Sequence, residues 1–264
     1  MISAKSAARP HPAPVARRGQ AGWTPAHDRA LQRGLEAIGL EADPAQRDAL
    51  GAYARLLLKW NRTYNLLGTV DPDAILESHL LDSLAVVPVL DRWLPADAAP
   101  LVDVGSGGGL PGIPIAIMRP GRTVVLVEPI GKKAAFLRQA VAESRLVQAT
   151  VREARLEALS RSDIATPAEN TPVVSAHFIC RAFTSLAGFA NLCAPRAGPG
   201  SLVMAMKAAR VEDEIMELRA TVPQMDVLAV EPLSIPGHDV QRNLVVMRTT
   251  PRYATEPANT MSGA

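Results

Sequence analysis

One short segment restricts the fold more than any other part of this 264-residue chain: LVDVGSGGGLPG, residues 101–112. An apolar run from Leu101 to Val104 leads directly into a glycine-rich loop, and Pro111 stands where the first turn of a following helix belongs. Glycines allow the positive φ angles and the close ligand approach that such a loop needs. The segment therefore predicts a strand, a ligand-binding loop and a helix, as at the first strand of a nucleotide-binding sheet.

After this segment, short apolar runs alternate with helical stretches. The predicted strands are 101–104, 123–128, 148–152, 176–180, 200–207, 226–231 and 243–248, and the predicted helices are 111–118, 131–145, 184–194 and 211–220. Such alternation predicts an α/β fold with a mostly parallel sheet and helices on both faces. Upstream, helical spacing at 28–39, at 45–60 and from Asp71 to about Leu90 predicts a small helical cap.

The domain organisation follows from these patterns. We expect a disordered basic tail at 1–27, a helical cap at 28–98, an α/β domain at 99–250 and a second disordered tail at 251–264. The polar and proline-containing composition of residues 160–175 predicts a surface loop. No uncharged apolar stretch reaches about 18 residues, which excludes a membrane-spanning helix. Cys180 and Cys193 have neither a disulfide framework nor zinc-ligand spacing, so we expect two reduced thiols in a cytoplasmic protein without a metal.

The net charge of +2 conceals an uneven distribution. Residues 1–27 hold four of the 28 basic residues and none of the 26 acidic ones, so the rest of the chain is slightly acidic. Any nucleic-acid footprint on the folded part must then come from basic residues clustered on one face rather than from overall charge.

The glycine spacing distinguishes between possible ligands. Gly105 and Gly107 fit the dinucleotide fingerprint, but Leu110 stands where that fingerprint has Gly or Ala. Asp103 followed by Gly105, Gly107 and Gly109 resembles the first motif of S-adenosylmethionine-dependent methyltransferases instead. Glu128, at the end of the second predicted strand, is placed to accept hydrogen bonds from ribose hydroxyls. A nicotinamide cofactor, or a tight turn beside a solvated Glu128, remains an alternative at this point.

Several segments together resemble one methyltransferase family, the bacterial 16S ribosomal RNA guanine-N7 methyltransferases (small-subunit methyltransferase G, also called glucose-inhibited division protein B). The segments are Lys59–Leu66, His79–Ser83, Asp103–Pro114, Glu128–Lys133 with Phe136-Leu137, Arg155–Glu157, Arg181–Phe183 and Lys207, in family order. The run GLPGIP after the glycine loop and the upstream HLLDS carry the specificity of the resemblance, because the glycine loop alone is common to many methyltransferases.

The resemblance implies a Rossmann-like methyltransferase sheet behind an N-terminal helical cap, with N7 of guanine 527 in the 530 loop of 16S ribosomal RNA as the target. Gly105 and Leu110 would line the methionine side of the cofactor, and Leu156 and Glu157 would lie beside the adenine. Arg181 would border both the cofactor and the guanine. The full set of expected cofactor residues is Asp103, Gly105, Gly107, Gly109, Leu110, Glu128, Leu156, Glu157 and Arg181.

The expected chemistry needs no general base, because guanine N7 carries a free lone pair and no proton. We therefore expect catalysis by proximity and alignment, with Arg181 and Lys207 in positioning roles. We expect His79 and Asp82, which are three residues apart, to form a hydrogen-bonded packing pair that links the cap to the sheet. Trp60 and Tyr53 lie on an apolar stripe and read as core residues.

The expected partner is 16S ribosomal RNA or a small ribosomal subunit particle, bound by a protein that is monomeric. The candidate RNA contacts are Lys132, Lys133 and Arg138 on one predicted helix and Arg55, Lys59 and Arg62 on another. Three alternatives remain: a methyltransferase of a small molecule or a protein, an NAD-dependent oxidoreductase, and an RNA-binding module with a degenerate pocket.

Overall fold

The computed structural model describes residues 22–94, 99–164, 175–208, 210–237 and 241–250. Residues 1–21 and 251–264 of the expected tails, 165–174 of the expected surface loop and the expected domain boundary at 98 lie outside the described residues.

Seven strands form one sheet with the order β3-β2-β1-β4-β5-β7-β6. Five of them run parallel, and β7 is antiparallel to both of its neighbours, β5 and β6. The predicted mostly parallel sheet is confirmed. The strands are β1 (Leu101–Val104), β2 (Val124–Val127), β3 (Ala149–Arg152), β4 (His177–Arg181), β5 (Leu202–Ala208), β6 (Met225–Leu233) and β7 (Arg242–Thr249).

The helices follow the predicted order, with the cap helices first. They are α1 (Pro25–Ile38), α2 (Pro44–Tyr64), α3 (Pro72–Ile75), α4 (Asp82–Leu84), α5 (Val87–Trp93), α6 (Gly112–Met118), α7 (Gly131–Glu143), α8 (Arg161–Ile164), α9 (Leu186–Cys193) and α10 (Glu212–Thr221). A π-helical segment, Leu76–Leu81, joins α3 to α4.

The central strands are buried on both faces, which is why they read as unbroken apolar runs. Every residue of β1 and β2 is buried, and the two strands pair in register from Leu101 with Val124 to Val104 with Val127. In-register pairing places the carboxyl ends of β1 and β2 side by side. The glycine loop after β1 and Glu128 after β2 therefore emerge at the same edge of the sheet.

Two groups of buried side chains fill the two faces of the sheet. One group joins Leu101, Val124 and Leu126 to α6, α7 and the cap helices α1 and α2. The other joins Val102, Val104 and Val127 to α9 and α10. The cap therefore shares a hydrophobic core with one face of the sheet.

The folded cap begins earlier than the sequence predicts. Helix α1 starts at Pro25, and Thr24 is its N-cap in a capping box with His27, whose Nδ1 accepts from the Thr24 amide at 2.9 Å. Trp23 also contacts the helix, because its indole nitrogen donates to Asp28 at 2.7 Å. The helix predicted to begin at residue 28 therefore begins three residues earlier, because a capping box is set by side chains that apolar periodicity does not reveal.

The chain from Asp71 to about Leu90 is mostly helical, as predicted, but it does not form one regular helix. The chain forms α3, then the π-helical segment, then α4, and it turns before α5, which ends at Trp93. A π-helical turn is a feature often found at functional sites. This one carries Ser78 and His79 toward the carboxyl end of β4.

The expected surface loop at 160–175 begins as a short helix. In α8, Ile164 is buried on the face of the sheet that α9 and α10 cover. A loop prediction based on polar composition misses this single apolar anchor.

Candidate active site

The glycine loop takes a conformation that requires glycine. Gly105, Gly107 and Gly109 have φ angles of 70°, 55° and 84°, in the left-handed region. The amides of Gly105 and Ser106 donate to the carbonyl of Val127 at 2.9 and 3.1 Å, which ties the loop to the end of β2. A Cβ atom on Gly109 would lie 2.5 Å from the Ile113 side chain, so this position also lacks room for a side chain.

Asp103 lies behind the loop rather than on its ligand side. Its side chain is fully buried, and Oδ2 accepts a hydrogen bond from the Gly112 amide at 3.0 Å. Oδ1 has no hydrogen-bond partner among the described residues. Burial raises the pKa of this carboxyl group to about 7. Through this hydrogen bond, Asp103 holds the start of α6 beneath the glycine loop. Its expected contact with a cofactor stays a prediction.

The side chain of Glu128 reaches the glycine loop. Its Oε2 accepts from the Gly107 amide at 2.9 Å, and its Oε1 accepts from the Ile130 amide at 2.9 Å. The side chain is buried. An ionised carboxylate has lone pairs for about four hydrogen bonds, so each oxygen retains capacity for a hydroxyl. The expected ribose contact stays a prediction, while the link from Glu128 to the glycine loop is a feature of the structure.

A small cavity of about 70 Å³ lies beside the loop. Gly105, Leu156 and Glu157, which the family resemblance assigns to the cofactor, line it together with Val127 and Phe183. Leu110, in contrast, is buried in the core shared with the cap. The structure therefore brings the adenine-side candidates Leu156 and Glu157 together with Gly105, a methionine-side candidate, around one cavity. It places Leu110, the other methionine-side candidate, behind the loop.

Arg181 ends β4 and is held by the cap. Its Nη1 donates to Asp82 Oδ2 at 3.0 Å and to the Ser78 carbonyl at 3.3 Å, and its Nη2 lies 3.3 Å from His79 Nδ1. The arginine side chain is only 15% exposed. The guanidinium is therefore oriented by three groups of the π-helical segment and α4.

His79 and Asp82 both bind Arg181, so the pair does link cap to sheet, but through the arginine. Burial and, next, the neighbouring Arg181 lower the pKa of His79 to about 4. The imidazole is therefore neutral near pH 7. A neutral imidazole beside a guanidinium orients that group and carries no charge of its own.

Lys207 is anchored within the protein by two hydrogen bonds, and its expected positioning role stays a prediction. Its Nζ donates to the Thr184 carbonyl at 2.5 Å and to Glu214 Oε2 at 2.7 Å. Its side chain is mostly buried, and its charge is paired. Lys207 therefore fixes the chain after β4.

Three residues of the site were missed by the sequence analysis or given another role. Arg242 donates to Asp82 Oδ1 at 3.2 Å, so Asp82 holds two arginines from two strands. Tyr53 is a core residue, as predicted, but its hydroxyl also donates to the Gly108 carbonyl at 2.5 Å. Phe183 lies against Gly105. The only sequence signal for Phe183 is its place in the Arg181–Phe183 segment, and nothing in the sequence pairs Arg242 with Asp82, 160 residues away.

Two of the candidate RNA-binding residues pair with carboxylates. Arg138 forms an ion pair with Glu153 at 2.7 Å, and Arg55 lies 3.6 Å from Asp28. Lys132 and Lys133 lie in the first turn of α7, directly after Glu128, and Lys59 is exposed on α2. Arg62 is also exposed, in the last turn of α2.

No described helix has the length and apolar character needed to cross a bilayer. No group of three or more His, Cys, Asp or Glu side chains in the described ranges is arranged to hold a metal ion.

Comparison with known proteins assigns the chain to a family. The model of the family described as rRNA small subunit methyltransferase G matches residues 46–245. A protein of that name from Leptothrix cholodnii is 44% identical over 218 residues, covering 83% of this chain and 94% of its own length. One from Burkholderia pseudomallei is 43% identical over 217 residues, covering 81% of this chain and 88% of its own length.

A solved structure supports the fold. Magnesium protoporphyrin IX methyltransferase from Synechocystis PCC 6803, determined with bound S-adenosylmethionine, aligns with a TM-score of 0.50. The alignment covers 79% of this chain and 99% of that chain at 16% identity, and shows a shared methyltransferase fold. Together with the family match over most of the described residues, the comparisons show that this chain belongs to the rRNA small subunit methyltransferase G family.

Proposed function

We propose that this protein transfers the methyl group of S-adenosylmethionine to N7 of guanine 527 in the 530 loop of 16S ribosomal RNA. The observation that carries the proposal is the family match over residues 46–245, which includes the glycine loop, Glu128 and Arg181. Family membership also argues against the oxidoreductase and the RNA-binding module considered above.

The residues around the loop fit this cofactor. S-adenosylmethionine has no pyrophosphate, so it does not need the phosphate-binding helix terminus of a dinucleotide site. The carboxylate of Glu128 meets the loop at Gly107, and Leu156 offers an apolar wall to a purine. When bound, the cofactor supplies a methyl group on a positively charged sulfur, which a nucleophile removes by in-line displacement.

The groups near Arg181 suit a reaction without proton transfer. Guanine N7 attacks through a lone pair, so the site has to orient the base and exclude water rather than remove a proton. His79 is neutral, and Asp82 is occupied by two arginines. We propose that Arg181 acts by contacting O6 or a phosphate, because a donor bonded to N7 itself would block the attack.

Lys207 is proposed as a positioning residue that acts through the backbone. Its contact with the Thr184 carbonyl holds the segment that follows Arg181. Glu214 connects Lys207 to the start of α9, because its Oε2 accepts from Lys207 Nζ and also from the Leu186 amide at 2.8 Å.

We propose that the RNA is bound by the exposed basic residues that surround the carboxyl edge of the sheet. Lys132 and Lys59, both exposed, are favoured over Arg55 and Arg138, because the two arginines already pair with carboxylates. Lys133, which is half-buried, and Arg62 stay in the candidate set without this preference. The substrate would be 16S ribosomal RNA or a small-subunit particle in the cytoplasm, and the protein would act as a monomer. Salt dependence of RNA binding is expected to persist after the basic N-terminal tail is removed.

Mapping N7-methylguanine in 16S ribosomal RNA from cells with and without this protein tests the proposal. We expect the mark at guanine 527 to disappear without the protein and to return on complementation. Equal methylation of the 530 loop in both strains would refute the proposal.

The Arg181→Ala variant tests the proposed role of Arg181. We expect lower turnover with an intact fold, and Arg181→Lys is the matched control because it retains the charge but not the planar donor set. Unchanged turnover of Arg181→Ala would remove Arg181 from the mechanism.

A further inference from the structure

The Phe183 ring lies directly on the first glycine of the ligand-binding loop. A Cβ atom placed on Gly105 would be 2.5 Å from Phe183 Cδ2 and 2.7 Å from Cε2. The ring also packs edge-on against Phe189, with centroids 6.4 Å apart and planes at 73°. Phe183 nevertheless remains 43% exposed. A large apolar side chain thus stands between the loop and solvent.

The space beside the ring is too small for the cofactor. The cavity that Phe183 shares with Leu156 and Glu157 measures about 70 Å³. Pockets that bind cofactor-sized ligands measure roughly 300–1,000 Å³. Several residues of the lining are exposed, but Phe183 is the one whose ring lies against Gly105, so rotation of this ring would enlarge the cavity at the glycine loop.

The backbone around Phe183 is fixed on both sides. Arg181 is held by Asp82, Ser78 and His79, and the Thr184 carbonyl is held by Lys207. Only Ala182 and Phe183 lie between these two anchors. Ala182 has a φ of 49°, a left-handed conformation that is uncommon for a residue with a Cβ. Because these contacts hold the chain on both sides of Phe183, rotation of its side chain is the motion that remains available.

A displaced ring would still lie close to Arg181. Arg181 is two residues away, at the carboxyl end of β4, and its guanidinium is oriented by the cap. Nucleic-acid-binding proteins commonly stack unpaired bases on exposed aromatic side chains. The ring therefore has an aromatic face to offer to a base held near Arg181.

We propose that Phe183 is a positioning residue that serves the two substrates in turn. Its ring fills the cofactor pocket beside Gly105 until the cofactor displaces it, and the displaced ring stacks on the target guanine beside Arg181. The inference rests on the proposed function, since it takes a ribosomal RNA guanine as the second substrate. It requires the cofactor to bind first, because the stacking surface is otherwise turned into the pocket.

Two substitutions at Phe183 separate the two roles. Phe183→Ala removes both the pocket filling and the aromatic face, whereas Phe183→Leu keeps apolar bulk beside Gly105 and loses the aromatic face. Leu192→Ala is the matched control, because Leu192 lines the same cavity from α9 and enlarging it there leaves the ring in place. Thermal melting establishes that each variant is folded.

Calorimetric titration with S-adenosylhomocysteine measures the first role without activity. We expect Phe183→Ala to bind about 3- to 10-fold more tightly than the wild type, because no ring contact has to be broken. Phe183→Leu should bind within about 3-fold of the wild type. Weaker binding by Phe183→Ala, or equal tightening by Leu192→Ala, would overturn the proposal, since the ring would then be an ordinary wall of the pocket.

Binding of a 530-loop RNA fragment measures the second role. We expect the wild type to bind this RNA more tightly in the presence of S-adenosylhomocysteine, and both Phe183 variants to lose that enhancement. Turnover should fall about 10-fold or more in both variants. RNA affinity that is independent of the cofactor product in the wild type would overturn the proposal. Wild-type protein that binds the cofactor product but does not methylate 16S RNA would instead refute the proposed function.

Discussion

Tyr53 offers the sharpest test of how the cap supports the site. Its ring is buried in the middle of α2, and its hydroxyl donates to the Gly108 carbonyl at 2.5 Å. Burial raises the pKa of Tyr53 above the ordinary tyrosine range, so the hydroxyl stays protonated and remains a donor at any working pH. Gly108 stands between Gly107 and Gly109, so this contact holds the centre of the glycine loop.

The Tyr53→Phe substitution removes one hydroxyl and leaves the apolar packing unchanged. The Gly108 carbonyl then loses this partner in a buried place, which costs about 1–3 kcal/mol of stability. For a domain of this size, that loss lowers the melting temperature by roughly 2–12 °C. Because the lost partner belongs to the loop, we also expect the Kd for S-adenosylhomocysteine to rise several-fold.

Trp60→Phe is the control for a general weakening of the cap. The Trp60 indole nitrogen donates to Gln139 Oε1 at 3.1 Å, so it also links α2 to α7, but it does not contact the glycine loop. We expect this variant to lose stability and to keep the wild-type Kd. Denaturant unfolding and calorimetric titration measure the two quantities separately. A Tyr53→Phe variant with reduced stability and wild-type affinity would refute the reasoning.

The remaining predictions concern a carboxyl group, two thiols and an arginine. Because burial raises the native pKa of Asp103 to about 7 from 3.8, its stabilising contribution is present below about pH 4 and is lost as pH rises toward 7. The unfolding free energy of the Asp103→Asn variant should therefore change less with pH in that window than the unfolding free energy of the wild type. An unchanged pH profile would contradict this assignment. Cys180 and Cys193 are buried, and burial raises both thiol pKa values, so neither should react with iodoacetamide until the protein is unfolded; alkylation of the native protein would contradict their placement. Arg242→Ala should lower turnover on RNA and leave cofactor affinity unchanged, because Arg242 contacts Asp82 and not the loop; a weaker cofactor titration would show otherwise.

The strands and the loop could be predicted because their signals are local. The residues of β1 and β2 are buried on both faces, so each strand is an unbroken apolar run in the sequence. The glycines at 105, 107 and 109 have positive φ angles, and glycine is the residue that adopts such angles without strain. In both cases the residue type follows directly from a requirement at its own position.

The missed features depend on contacts between distant residues. The π-helical segment Leu76–Leu81 has the same apolar composition as an α-helix, so spacing alone predicts a continuous helix. Asp82 meets Arg181 and Arg242 only because β4 and β7 bring both arginines to one edge of the sheet. Lys207 was expected in a positioning role, but the sequence does not reveal its partners, Glu214 and the Thr184 carbonyl, because both lie on other segments of the chain.

The cap is better understood as part of the active site than as a separate domain. Tyr53 holds the glycine loop, and Asp82 holds the two arginines, so the cap contacts the site at two points. Its buried side chains also belong to the same core as α6 and α7. A shift of the cap would therefore disturb the cofactor loop and Arg181 together. Alignment of two substrates is the main catalytic task when no proton has to be moved, and a scaffold that joins both sites suits that task.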